Sequence, residues 1–162
     1  MLNRSKDDLI AAHHEAGHAV GAFLLGVPFA AVALADPGSG KGSVHAPFTI
    51  GKIRECAVVA MLGRATERLV FGRADRRYLR GDAETIAGLY LTSALGFAGF
   101  AAEMSCQEFR AWLRSRTAEV IERPGFREAV EMLAQVLMKE GKVEGERAAE
   151  IIRRTITPFG AA

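Results

Sequence analysis

Two imidazoles and a carboxylate stand at His14, Glu15 and His18 in the run His13-His14-Glu15-Ala16-Gly17-His18-Ala19-Val20, an H-E-x-x-H pattern. On an α-helix, side chains at i and i+4 lie on one face, so His14 and His18 can reach a single ion. A zinc ion held by two His nitrogens and one further protein ligand keeps a fourth position for water and lowers the pKa of that water to about 7. Glu15 then sits beside the metal rather than on it, placed to take the proton as general base and to return it as general acid. The chemistry this spacing predicts is zinc-assisted hydrolysis. His13 points about 100° away from the ligand face and is expected at the surface.

The helix that must carry the motif has a defined start. Ser5-Lys6-Asp7-Asp8 reads as an N-cap with an acid three residues on, directly ahead of Leu9-Ile10. Ala11, Ala12, Ala16 and Ala19 favour helix, whereas Gly17 costs about 1 kcal/mol relative to Ala, so something must approach the backbone closely there. The helix is expected to end near Gly26-Val27-Pro28. Residues 29–35 read as a strand, Asp36-Pro37-Gly38-Ser39-Gly40 as a turn, and residues 43–48 as a second strand closed by Pro47. That strand is either an ordinary member of a small sheet or an edge able to pair with an extended peptide. Residues 53–71 have apolar side chains at helical spacing, including Val58, Met61, Leu62, Leu69 and Val70, and Gly72 ends the run. Further helices are expected over 86–95, from the capping box Ser105-Cys106-Gln107-Glu108 to a stop before Pro124, over 126–139, and over 145–156. The fold class is mainly α with a small β-sheet, in a single domain spanning 1–162.

Composition narrows the function. A chain of 162 residues, 49% apolar and 25% charged, holds one domain with a real core and is neither disordered nor fibrous. Arginines bunch at Arg64, Arg68, Arg73, Arg76, Arg77 and Arg80, but Glu67 and Asp75 interrupt them and no aromatic stacking set accompanies them. A solvated face or a subunit contact is expected, not nucleic acid. Cys56 and Cys106 are far apart and read as reduced, partly buried thiols. Without an apolar leader the expected location is the cytoplasm. The uncharged runs 19–35 and 85–102 are broken by Gly26 and Pro28 and by Gly88, Gly96 and Gly99, so no membrane span is expected. Residues 38–43 glance at a phosphate loop, but Ala35 and Gly42 stand where it needs Gly and Ser or Thr.

A catalytic zinc site needs a third ligand. The longer metzincin pattern fails at Leu24, and a gluzincin arrangement has only Glu55 and Glu67 to draw on, without the expected surroundings. Several separate stretches resemble one family, the peptidase domain of FtsH-type ATP-dependent zinc proteases. They are His14-Glu15-Ala16-Gly17-His18-Ala19, Met61-Leu62-Gly63-Arg64-Ala65-Thr66-Glu67-Arg68-Leu69-Val70-Phe71-Gly72, Gly81-Asp82-Ala83-Glu84, and the closing helical element at Lys142-Val143-Glu144-Gly145-Glu146. The resemblance implies a helical FtsH-type peptidase domain in which Asp82 completes the Zn2+ site with His14 and His18, and Glu15 is the catalytic acid/base. Ala83 stands where the family prefers Leu. Asp82 is also a good helix N-cap in its own right, and Glu84, Asp75 and His45 remain alternative ligands.

The function expected on these grounds is a zinc metalloendopeptidase acting on unfolded or flexible segments of a polypeptide substrate. The family couples this domain to an ATPase module and membrane helices, which these residues do not contain. The chain is then a stand-alone relative or a fragment, served by an ATPase or adaptor partner in trans, and the family's rings imply a homo-oligomer. The alternatives are a proteolytically inactive zinc-binding interaction module and a hydrolase of some other amide or ester. Glu15 argues against the inactive module, because a structural zinc site has no use for an acid/base there.

Overall fold

The computed structural model describes residues 4–46, 50–76, 79–92 and 104–156. At its centre is helix α1 (Lys6–Leu24), buried on nearly every side. Such a helix needs small side chains so that neighbours can close in, and α1 supplies Ala11, Ala12, Ala16, Ala19 and Ala22 with no exposed surface. The expected capping box starts it: Ser5 N donates to Asp8 Oδ2 at 2.8 Å and Asp8 N to Ser5 Oγ at 3.2 Å. Helix α2 (Ile53–Phe71) crosses α1 where Gly17 leaves the backbone bare; a Cβ on Gly17 would run into the Thr66 side chain and lie 3.0 Å from the Leu62 carbonyl oxygen. This is the close approach that Gly17 predicts. Gly72, at φ +73°, ends α2 by donating its N–H to the Arg68 carbonyl.

A three-stranded antiparallel sheet covers one end of α1. Its order is β2 (Gly42–His45), β1 (Ala31–Leu34), β3 (Lys142–Glu144), with Val32 opposite both Val44 and Val143. β1 is therefore the buried centre, and β2 pairs with β1 alone among the described residues. The expected second strand is correct in place but starts at Gly42; Pro47 and Phe48 lie outside the described residues. β3 is a correction: the resemblance places Lys142-Val143-Glu144 in a closing helical element, but these residues pair with β1, and α6 (Gly145–Arg153) begins at Gly145, where the sequence pattern starts its last helix.

The remaining helices close the core. Helix α5 (Phe126–Glu140) packs along α1 through Phe126, Val130, Leu133 and Leu137, all fully buried. Helix α4 (Cys106–Ile121) starts at the expected Ser105 capping box and buries Phe109, Leu113 and Val120. Cys106, in its first turn, is exposed, and only Cys56 is partly buried, so the thiol expectation holds for one of the two. Helix α3 (Leu79–Thr92) begins seven residues earlier than the apolar pattern alone suggests, which draws Asp82 into its first turn instead of leaving it as a cap. The expected end of that helix, at residues 93–95, lies outside the described residues. Among the described residues no helix is long and apolar enough to cross a membrane.

Asp8 does more than cap a helix. Its carboxylate also accepts Gly38 N at 2.7 Å and Gly40 N at 3.0 Å, tying the β1–β2 turn to the start of α1. Burial would raise the pKa of Asp8, but the backbone donors of Ser5, Gly38 and Gly40 outweigh it and lower it from 3.8 to about 2. The stabilisation is therefore present above pH 3.8 and is lost as pH falls through about 2. Asp8→Asn is expected to cost about 1–2 kcal/mol at neutral pH and to weaken the acid dependence of the melting temperature, measured from neutral pH down to pH 2. An equally steep acid transition in the variant would refute this.

Candidate metal centre

The two imidazoles of α1 are oriented by α2. His14 Nδ1 lies 2.6 Å from Glu67 Oε1 and His18 Nδ1 lies 2.6 Å from the Val59 carbonyl oxygen. A carboxylate and a carbonyl can only accept, so each ring carries its proton on Nδ1 and turns Nε2 inward. The two Nε2 atoms are 2.9 Å apart. With both rings neutral, two lone pairs at that separation would repel, and a proton or a metal cation held between them relieves the repulsion.

Asp82, in the first turn of α3, supplies the third side of the cluster. Its Oδ1 is 3.5 Å from His18 Nε2 and its Oδ2 3.6 Å from His14 Nε2. One ligand atom from each of His14, His18 and Asp82 falls within 4.8 Å of the others, so the group could hold a metal ion. Two further observations fit an ion there. Asp82 Oδ2 is buried without a hydrogen-bond partner, and the α2 residue facing the rings has no side chain. A Cβ on Gly63 would stand 2.5 Å from His18 Nε2 and 2.6 Å from His14 Nε2, inside the space an ion would occupy.

Glu67 is the member that sequence reasoning treats as an unsuitable ligand. It has no exposed surface, and its second oxygen accepts the backbone N–H of Asp75. A buried carboxylate holding the far nitrogen of a His fixes its tautomer and makes Nε2 a better donor to a metal. The signal was available in part: Glu67 is the one acid inside the apolar spacing of α2 that falls on its buried face.

The other candidates lie elsewhere. His45 is on the exposed face of β2, with Nε2 3.2 Å from Ser43 Oγ. Asp75 is at the mouth of a separate hollow with Arg73 and Arg76, and Glu84 is exposed on α3. His13, expected at the surface, is instead buried: Nδ1 donates to the Leu9 carbonyl at 2.8 Å and the ring meets Phe71 edge-on at 5.1 Å. Rotation away from the ligand face points it at a neighbouring helix, because α1 is enclosed.

Glu15 lines the same cleft as the ligand group, a hollow of about 600 Å³ walled by α1, α2, α3 and β2. Its carboxylate lies against Gly42, where a Cβ would come within 2.5 Å of Glu15 Cγ. Burial is the strongest influence on Glu15 and pushes its pKa up, against the pull of His18 and His14. For His14, burial opposes the charged ring, but the facing carboxylates of Asp82 and Glu67 outweigh it and raise its pKa to about 9. Burial likewise works to raise the pKa of Asp82, and the two imidazoles overcome it, holding Asp82 well below the usual carboxylate range. The arrangement thus attracts a positive charge, proton or metal, to one point beside the buried carboxyl group of Glu15.

No protein-family model matches the chain, and neither does any curated protein.

Filling the bare position on α2 should remove the metal while leaving the helices in place. Gly63→Ala is expected to reduce metal content from about one per chain to near zero by elemental analysis, with the far-ultraviolet circular dichroism retained. Metal content equal to wild type would contradict the assignment. The raised pKa of His14 gives a second expectation. Below about 9 an incoming ion must displace a proton, so metal affinity should rise with pH and level off above about 9. The slope approaches tenfold per pH unit at most, about 1.4 kcal/mol. Competition titrations with zinc as the probe ion test this, and a flat profile from pH 6 to 9 would count against it.

Proposed function

We propose that this chain is a zinc-dependent metallopeptidase, with an FtsH-type peptidase fold, that hydrolyses peptide bonds in unfolded or flexible protein segments. The observation that carries the reading is the position of Glu15, which is next to a ligand in sequence and shares the cleft with all three candidate ligands while belonging to none of them. A site meant only to hold an ion has no need of that carboxylate. Two His nitrogens and one carboxylate oxygen form a donor set suited to zinc that leaves a coordination position open.

His14, His18 and Asp82 would hold the ion, and Glu67 keeps the His14 ring in register. When bound, zinc supplies Lewis-acid polarisation of a carbonyl and activation of a water molecule. Glu15 takes the proton from the attacking water and delivers it to the leaving amine. The outer edge of β2 runs along the cleft and offers main-chain hydrogen bonds to an extended peptide. Strand pairing of this kind requires a substrate segment free of its own structure, hence the choice of unfolded or flexible chains. The family assignment is supported by how the resembling segments meet: the metal motif on α1, residues 61–72 on the helix that orients it, and Asp82 on the helix that follows.

Wild-type protein carrying about one zinc per chain is expected to degrade an unfolded substrate such as casein. Glu15→Gln should keep its zinc and lose at least about 100-fold in rate, whereas Asp82→Ala should lose the metal. Equal inertness of wild type and Glu15→Gln would leave the metal-binding interaction module as the better reading.

A further inference from the structure

A second hollow, of about 670 Å³, lies between the end of α1 and α6. Its apolar walls include Phe23, Val27 and Phe29, and α6 contributes Glu146 and Glu150. These two acids are one helical turn apart and exposed, and neither has an ion-pair partner among the described residues. Like charges at this spacing repel each other, so a cation between them is favoured. The one basic side chain on the wall, Arg153, holds its guanidinium over the Phe23 ring, 5.6 Å from the centroid.

This groove adjoins the metal cleft. Val27 is part of the wall of both. Both also open at the same end of the sheet, where Ala31 of β1 pairs with His45 on one side and Glu144 on the other. Ala46, the next residue after β2, lines the cleft, and Gly145, the next after β3, lines the groove. All pairing in the sheet is antiparallel, so a peptide added to β2 in the same sense has its N-terminal portion beside His45 and Ala46, at the end of the sheet where Gly145 lines the groove.

We propose that the groove is a remote subsite for the substrate segment N-terminal to the scissile bond, and that it selects lysine or arginine there. The proposal rests on the peptidase reading above. It assigns specificity to residues that take no part in the chemistry: the apolar walls accept aliphatic stems and the Glu146–Glu150 pair receives the charged ends.

The test measures binding to the full-length, zinc-loaded Glu15→Gln protein, in which bound peptide stays intact. Fluorescently labelled peptides share one apolar core and carry a Lys-Arg or a Glu-Glu pair about three to five residues N-terminal to its centre, with a further pair of peptides carrying the same charges C-terminal to it. The basic peptide is expected to bind about fivefold tighter at low ionic strength, with the difference shrinking at high salt. Adding Glu146→Gln and Glu150→Gln should abolish the difference; both side chains are exposed, so folding is not at risk. Equal affinities, a preference that survives the double substitution, or a preference that follows a basic pair on the C-terminal side would each overturn the proposal. Cleavage of the same peptides by wild type is followed in parallel. Cleavage without charge preference defeats the subsite alone, and charge-dependent binding without cleavage defeats the peptidase reading alone.

Discussion

The crossing of α1 and α2 is the contact on which the site depends. Bare backbone at Gly17 lets the helices close in, and at that separation the Val59 carbonyl and the Glu67 carboxylate reach the outer nitrogens of His18 and His14. The inner nitrogens are then committed to one point in space, and the absence of a side chain at Gly63 keeps that point clear. A wider crossing would lengthen two hydrogen bonds and free both rings to rotate. Ligand geometry here is a consequence of helix packing, and the two imidazoles sit on the part of α1 with almost no solvent exposure.

Burying so many polar groups creates an electrostatic demand. Glu15, Glu67, Asp82 and two imidazoles share one small volume, and a buried charge is tolerated only when it is matched. The directions of the pKa shifts show how the protein meets the demand with protons alone: His14 and Glu15 hold theirs more tightly, while Asp82 gives its proton up. A divalent cation would meet the same demand with one particle. Metal binding and the burial of these carboxylates are in this sense two sides of one balance.

Local signals made much of this fold legible from sequence. Both capping boxes, the full span of α2 and its Gly72 stop are set by residues within a turn of each other, and they stand where the pattern places them. What escaped depends on distant partners. β3 is three residues long and exists because β1 lies beside it; nothing in Lys142-Val143-Glu144 alone marks a strand. His13 is buried because α1 is surrounded, a fact that helix geometry does not contain. Glu67 could be seen as an acid on an apolar face, but its attachment to His14, 53 residues away, could not. The His-Glu-His run identified the helix that matters, and the resemblance to a family pointed to Asp82, which local pattern alone leaves equally suited to capping.

Asp82 reaches the cluster from a helix that is otherwise lightly held: among residues 81–91 of α3 only Leu89 is buried. An ion bound by His18 and Asp82 would therefore act as a cross-link between positions 64 residues apart in the chain. Held only by the folded site, it would fasten the most exposed wall of the cleft to the deeply buried α1. Loss of the ion would then be felt first as fraying of α3, with the α1–α2 core still standing.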